Sequence, residues 1–237
     1  MKTNSILLSA AFCLVIATVV STTAQQKSEP QFKLVEFHMA LLKKGPGWTA
    51  TKTDATVELH QKHIAYVTSL LASGKAIIAG PLTDDGEIRG LYILRAQSAQ
   101  EAKAWANADP AVASGHLVVE MHPWWAEDVM KKTSTPSPMT TCYLAFLMRG
   151  AKWTREKTAA TEELKKAHLA NIVRLNRLGK LVVAGPFGDD SKFAGIFVFR
   201  VGSLAEAQAL AATDPLVQAG RLVLDLHPWA VPEGILP

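Results

Sequence analysis

Two histidines occur in places where an imidazole could transfer protons. His63 lies in a predicted helix between Leu59 and Val67, each four residues away, so it shares an apolar helical face. His168 has the same setting in a second, similar helix. Imidazole titrates near neutral pH and suits general acid–base catalysis. A histidine on an apolar face can equally be a core residue with one hydrogen-bond partner, and the sequence leaves both interpretations open.

Two aspartates, Asp109 and Asp214, each precede a proline later in the chain. An Asp-Pro step commonly caps a short helical turn in which the proline is the first residue. The same carboxylate could accept the imidazole N–H and fix its tautomer, because a carboxylate has two oxygens. The sequence alone leaves both roles of Asp109 and Asp214 open.

Two further groupings of polar residues could bind a ligand. His60 and His63 could hold a metal, but Lys165 replaces His60 in the second helix and no third ligand is evident. We therefore predict neither a metal site nor a cofactor. A second candidate cluster, which could equally be a polar lining, would lie on one face of two adjacent strands and contain Glu36, His38, Glu120 and His122.

Four tryptophans stand at matching positions of two similar segments. Their flat rings could stack on a ligand beside the histidines or cover an edge of the core, and core cover is the favoured role. The candidate substrate-binding residues are Trp48, Trp153, Trp124 and Trp229.

The chain lacks the motifs of several large protein classes. It contains no G-x-G-x-x-G, P-loop, G-x-S-x-G, H-E-x-x-H or C-x-x-C motif. Its formal net charge of +4 is spread among acidic residues, without the basic block or basic–aromatic stripe of a nucleic-acid-binding protein. The sequence therefore gives no support for a nucleotide-dependent enzyme, a serine hydrolase, a zincin or a thioredoxin, and nucleic acid is not an expected partner.

The candidate residues occupy equivalent positions because the chain contains an ungapped internal repeat. The triplet His63-Ile64-Ala65 recurs 105 residues later as His168-Leu169-Ala170. The same offset relates His122-Pro123-Trp124 to His227-Pro228-Trp229. Such self-similarity predicts two copies of one domain.

The repeat and its flanks predict the domain organisation. We place the first copy at 31–125 and the second at 139–231, joined by a Ser/Thr/Pro-rich linker over 126–138. Residues 1–24 have the pattern of a secretory signal peptide, with a basic start, an apolar run too short to span a bilayer and small residues before the cleavage point. We therefore expect a protein exported to the periplasm or the medium, with no membrane association after cleavage.

The composition predicts a globular protein whose stability comes from burial. Hydrophobic residues make up 49% of the chain and charged residues 19%, which excludes a disordered chain. Two cysteines exclude a disulfide scaffold, and cleavage of the signal peptide would leave Cys142 alone in an apolar run. We expect Cys142 to be a small buried hydrophobe.

Each copy shows the pattern strand, helix, strand, strand, helix, strand. Helical spacing of apolar residues predicts the first helix over about 54–73, ended by Gly74, while β-branched and aromatic residues predict the strands. A βαββαβ unit covers one face of its sheet with helices and leaves the other face apolar. We therefore predict an α+β protein in which two units pack their bare faces together within one chain.

The order of short motifs in each copy resembles the YciI-like (YCII-related) domain family. The residues that carry the resemblance in the first copy are Trp48, His63, Gly74-Lys75, Ala79-Gly80-Pro81, Ser98, Glu101-Ala102, Asp109-Pro110 and His122-Pro123-Trp124. The resemblance implies ferredoxin-like units assembled as a dimeric α/β barrel, here as an internal pseudo-dimer. It also implies that a His of the first helix and the Asp of the Asp-Pro step form an active-site dyad, by position His63 with Asp109 and His168 with Asp214. We therefore expect each of these candidate catalytic pairs to lie within hydrogen-bond reach and beside a cleft.

The resemblance does not imply one reaction. Recognised relatives include enzymes that act on chlorinated or hydroxylated aromatic rings, and a fold alone does not define a function. The leading hypothesis is a cofactor-free enzyme that uses the His–Asp dyads in an isomerase or lyase type of step on a small organic molecule. The alternatives are a non-catalytic module that binds a small molecule and a structural or interaction domain.

Overall fold

The structure, a computed structural model, describes residues 32–131 and 138–237. The predicted signal peptide and the central part of the predicted linker lie outside these residues. Within the described ranges, no helix combines the length and the apolar character needed to cross a membrane.

The described residues form two similar units. The first unit comprises β1 (Leu34–Lys44), α1 (Asp54–Ala72), β2 (Ala76–Pro81), β3 (Ile88–Leu94), α2 (Ala99–Asn107), α3 (Pro110–Ala113) and β4 (Leu117–Glu127). The second unit comprises β5 (Met139–Arg149), α4 (Ala159–Arg177), β6 (Leu181–Pro186), β7 (Phe193–Phe199), α5 (Leu204–Ala211), α6 (Pro215–Gln218) and β8 (Leu222–Pro232). Each unit has the predicted βαββαβ order, with one additional short helix before its last strand.

Each unit contains one four-stranded antiparallel sheet. The strand orders are β2-β3-β1-β4 and β6-β7-β5-β8, so the last strand lies beside the first in both units. This order is that of a ferredoxin-like unit. The predicted fold class is therefore confirmed.

The helices that carry the two candidate histidines begin and end in the same way. α1 starts at a capping box in which the Thr53 hydroxyl accepts from the Thr56 N–H and the Thr56 hydroxyl accepts from the Thr53 N–H. Thr158 and Thr161 repeat this arrangement at the start of α4. After α1 the chain reverses at Gly74, whose φ of 74° is strained for any residue with a Cβ. Local sequence thus determines where each helix begins and ends, and therefore the position of each histidine along its helix.

The two sheets pack face to face around a shared apolar core. This inter-sheet core takes residues from both units, among them Phe37, Met39, Phe146 and Phe193, all almost completely buried. Cys142 belongs to the same core, and burial raises the pKa of its thiol. The bare faces therefore cover each other within one chain, as the sequence predicted.

The edges of the two sheets meet at two matching junctions. At one, the Trp229 indole N–H donates to the carbonyl oxygen of Gly80 across 3.2 Å, and at the other Trp124 donates to Gly185 across 3.1 Å. An isolated β-bridge accompanies each junction, Leu82 to Trp229 and Trp124 to Phe187. Together the two junctions close the paired sheets into a barrel-like assembly.

The last strand of the first unit extends into the segment predicted to be the linker. β4 continues beyond His122 to Glu127, which pairs with Leu34. Pro123 does not end the strand because β4 is an edge strand, where a missing N–H breaks no ladder hydrogen bond. Ala126 and Glu127 therefore belong to the sheet and not to the linker.

Candidate functional site

His63 and Asp109 meet between α1 and the start of α3. The imidazole Nδ1 of His63 lies 2.7 Å from Oδ2 of Asp109. The other carboxylate oxygen accepts from the backbone N–H of Ala111 across 2.8 Å and caps α3. The Asp109 side chain is completely buried. The predicted contact is confirmed, and the carboxylate has both of the roles that the sequence left open.

His168 and Asp214 repeat this arrangement in the second unit. The imidazole Nδ1 lies 2.6 Å from Oδ2 of Asp214, while Oδ1 accepts from the N–H of Leu216 across 2.9 Å. The Asp214 side chain is also completely buried. Such a carboxylate favours the tautomer that carries the proton on Nδ1. Both imidazoles are therefore held with Nε2 on the opposite side of the ring from the aspartate.

Each of these imidazoles lines a cavity between a helix and its sheet. The cavity beside His63 has a volume of about 670 Å³ and the cavity beside His168 about 620 Å³, within the range of small-molecule sites. The imidazole side chains remain 17% and 15% exposed, and Nε2 has no hydrogen-bond partner among the residues that the structure describes. Nε2 is therefore available to a molecule in the cavity.

Both cavities are completed by the opposite unit. Met139 and Pro232, from the ends of β5 and β8, line the cavity of His63. Their repeat equivalents Leu34 and Glu127 line the cavity of His168. The two cavities thus depend on the pairing of the units.

The four candidate tryptophans divide into two groups. Trp48 lines the cavity of His63 and Trp153 that of His168, as a substrate-binding role requires. Trp124 and Trp229 line neither of these cavities and are completely buried in the inter-sheet core. The suggestion that Trp124 and Trp229 bind substrate is therefore wrong, because strand alternation turns their rings toward the opposite sheet.

The two dyads differ in the residue that contacts them from the third strand of each unit. In the first unit, the Tyr92 hydroxyl donates to the Oδ2 atom of Asp109 that also contacts His63. Burial and the Asp109 carboxylate raise the pKa of Tyr92, which keeps the phenol protonated. Phe197 is the equivalent residue in the second unit, where its ring stacks on His168 at 5.9 Å. Asp214 thus lacks the phenol donor that Asp109 has.

Replacement of Tyr92 by phenylalanine should make the first dyad similar to the second. The loss of one buried hydrogen bond should lower the free energy of unfolding by about 1 kcal/mol. Urea unfolding of Y92F and the wild-type chain measures the difference, with F197Y as the reverse substitution. An unchanged urea midpoint in Y92F would contradict this role of the hydroxyl.

The prediction that one sheet face carries a polar cluster of Glu36, His38, Glu120 and His122 is wrong. In β1, Ala40 and Leu42 pack beneath the helices, and alternation places His38 and Glu36 on that same side of the sheet. The β4 residue His122 pairs with Met39, which faces the inter-sheet core. Glu120 and His122 therefore lie on the face opposite to the two β1 residues.

A second set of His–Asp pairs joins the two units, and our sequence reasoning missed it. Nδ1 of His122 lies 2.6 Å from Asp189 of the second unit, and Nδ1 of His227 lies 2.5 Å from Asp84 of the first. Both histidines are at least 90% buried. All four residues recur at the repeat offset, which was the available signal, but the pairing depends on how the units face each other.

The stability of the inter-unit contact should depend on pH in the acid range. Partial burial acts to raise the pKa of Asp189, but hydrogen bonds from Ser191 and His122 outweigh it and lower the pKa below its usual value. Because the pKa of the Asp189 carboxyl is lower in the folded chain than in the unfolded chain, where it is near 3.9, the ionised carboxylate adds its full stability above about pH 3.9. This contribution is lost as the pH falls through the folded-state pKa.

We therefore expect D189N to flatten the decline in unfolding free energy below about pH 4. Urea unfolding between neutral pH and pH 3 measures this decline, and the exposed Asp85 supplies the control variant D85N. A wild-type slope in D189N would show that the Asp189 carboxylate does not supply the effect.

His60 and His63 are the two residues that the sequence offered as possible metal ligands, although no metal site was predicted. Their ring centroids are 6.2 Å apart. Among residues 32–131 and 138–237, no group of three or more His, Cys, Asp or Glu side chains is arranged to hold a metal ion.

The sequence matches one family model twice. The YCII-related domain matches residues 33–125 and again residues 145–230, which together cover most of the chain. The chain belongs to the YCII-related family. This YCII-related chain is also 32% identical over 87 residues to the uncharacterized protein YjpA of Bacillus subtilis (strain 168), an alignment that covers 37% of the chain and 92% of YjpA.

Solved structures share the two-unit fold at low sequence identity. A mutant chlorite dismutase from Candidatus Nitrospira defluvii aligns with a TM-score of 0.55 and 12% identity over 85% of the YCII-related chain and 92% of the enzyme. A structure described as a novel heme-binding protein from Thermus thermophilus aligns with a TM-score of 0.50 and 13% identity over 86% and 93%. These similarities show the architecture of a dimeric α/β barrel.

Proposed function

We propose that this YCII-related chain is a cofactor-free enzyme that transfers protons on a small organic molecule. The observation that supports the proposal is the same in both units. A fully buried aspartate holds the imidazole at Nδ1, and Nε2 is left without a described partner beside a cavity. A non-catalytic core histidine needs one partner but has no need of such a cavity.

The roles of the residues follow from this geometry. Nε2 of His63 or His168 accepts a proton from the substrate, and the aspartate carboxylate stabilises the imidazolium that forms. The same imidazolium then returns the proton to a different substrate atom in an isomerisation, or to a leaving group in a lyase step. Asp109 and Asp214 are positioning residues because they are buried behind the imidazoles.

The cavity walls favour a flat and largely apolar substrate. In the first cavity, Leu59, Val67 and Leu71 contribute apolar surface opposite the strands, and the Trp48 ring, beside Arg89 and His116, adds aromatic surface. An aromatic ring gains stacking and burial in such a cavity. Aromatic compounds are therefore the substrate class to test first.

A ligand-binding role is the second candidate, and haem is the ligand that one observation favours. An imidazole anchored at Nδ1 by a carboxylate is suited to binding iron through Nε2. In the second cavity, His168 would be this ligand, and the cationic Lys165 and Arg177 line the same cavity. Bound haem would supply redox chemistry or bind a small gas. His168 would hold the iron, and Asp214 would orient the imidazole of His168.

Nitrogen-15 NMR of the imidazoles tests the proposal. We expect His63 and His168 to carry the proton on Nδ1, and their Nε2 resonances to shift when aromatic compounds from a library bind. Nε2-protonated imidazoles, or no response to any compound, would contradict the proposal. Titration with haem separates the second candidate, because binding through His168 would produce a Soret band that is altered in H168A.

A further inference from the structure

The proposed proton transfer does not use Arg89, the arginine that lines the first cavity. Arg89 lies on β3 and shares the cavity wall with His63 and Trp48. Its Nη1 donates to the carbonyl oxygens of Asp84 and Gly86, at 2.5 Å and 3.3 Å. These contacts fix the guanidinium through one of its nitrogens.

Within the described residues, the opposite edge of the Arg89 guanidinium makes no hydrogen bond. Nε is buried and makes no hydrogen bond within the described residues, and the hydrogen bonds of the group there all come from Nη1. The guanidinium carbon lies 5.2 Å from the centre of the Trp48 ring, which keeps the plane of the group in place. A buried N–H without an acceptor costs free energy, and a ligand acceptor that reaches this edge from the cavity lined by Arg89 would remove that cost.

The second cavity lacks this feature. Ala194 occupies the position equivalent to Arg89 and lines the cavity of His168. Arg149 stacks on Trp153 at 5.4 Å and also has an unpartnered, buried Nε, but it does not line the cavity. At this wall position the first cavity therefore has a cationic side chain that the second lacks, while the cationic residues of the second cavity, Lys165 and Arg177, lie on its helix.

We propose that the first cavity selects small molecules that carry a carboxylate. The Nε and Nη2 edge of a guanidinium matches the two oxygens of a carboxylate, and one guanidinium balances one negative charge. The remainder of the molecule lies against Trp48 and within the cavity of His63. The inference rests on the proposed function only for the role of His63, and it names the substrate class of that site.

Benzoate and benzyl alcohol are the probes, because they have similar shapes and differ in charge. In calorimetric titration of the full chain, we expect benzoate to bind about tenfold more tightly than benzyl alcohol, or better. The difference is the effect of one charge-assisted contact. Two cavity-filling variants locate the binding: V67W should abolish it, whereas I172W in the second cavity should leave it unchanged.

Variants of Arg89 test the residue itself. R89M should remove the preference for benzoate, and R89K should retain only part of it because a lysine cannot form the two parallel hydrogen bonds. R149K is the matched control, since Arg149 has a similar stacking contact outside the cavity, and it should bind as the wild-type chain does. In the wild-type chain, the Nε–H resonance of Arg89 should also shift on addition of benzoate, which keeps the test valid if R89M does not fold.

Equal affinity for the two probes would overturn the inference, as would a benzoate preference that persists in R89M. Either result would leave the dyad proposal intact, because that proposal fails on a different measurement, namely the imidazole tautomers and the turnover of the histidine variants.

Discussion

Alanine at Gly80 should destabilise the folded chain by about 3 kcal/mol, and alanine at Gly185 should have a similar effect. At each junction of the sheets, the added Cβ would overlap a backbone oxygen of the other unit. The distance would be 1.9 Å to the carbonyl oxygen of Ala230 for Gly80, and 2.0 Å to that of Trp125 for Gly185. The backbone of a paired strand cannot move aside as a flexible side chain can, so the sheet edges must separate.

Urea unfolding of G80A and G185A measures this loss, and G202A is the control. The nearest atom to a Cβ on Gly202 is the flexible Glu206 carboxylate at 3.8 Å, so G202A should remain within about 0.5 kcal/mol of the wild type. Wild-type stability of G80A would mean that the two units do not pack as described. Size-exclusion chromatography should also show whether the opened sheets associate between chains.

Replacement of both dyad histidines should lower turnover by about 10²- to 10⁴-fold, the usual contribution of general acid–base catalysis. H63A and H168A each remove the Nε2 atom that faces a cavity, while the fold should persist because each imidazole lies at a cavity edge and not within the inter-sheet core. The measurement is kcat/KM of the single and double variants for a substrate found by screening, together with circular dichroism to confirm folding.

D109N and D214N separate positioning from a purely structural role. An asparagine keeps an oxygen that can cap the short helix, but it removes the charge that stabilises the imidazolium. We expect kcat to fall in both variants with little change in KM, and the pH profile of activity to change. Full activity of the double histidine variant would leave only the ligand-binding interpretation.

The dyads could be predicted because the family resemblance pairs the two residue types and local sequence positions each of them. Apolar spacing fixes the helical face of His63, and the Asp-Pro step fixes Asp109 at the start of a short helix. The repeat places the same two residue types at the equivalent positions His168 and Asp214. No knowledge of the other unit is needed, since both members of a dyad belong to one unit.

Contacts between the units could not be predicted in the same way. Trp48 and Trp124 are the same residue type and both recur, but Trp124 is buried because its strand face packs against the other unit, whereas Trp48 lies outside the strands. The pair of His122 and Asp189 depends on the same orientation. The free edge of Arg89 depends on contacts with a turn whose conformation the sequence does not specify.

The presence of both units in a single chain has a consequence for how the two sites can change over time. In a dimer of identical subunits, one codon encodes both copies of a position, so a mutation that alters one site alters the other. Here Tyr92 faces one dyad and Phe197 the other, and Arg89 is matched by Ala194. Two units in one chain thus allow one site to acquire a new specificity while its counterpart retains the old one.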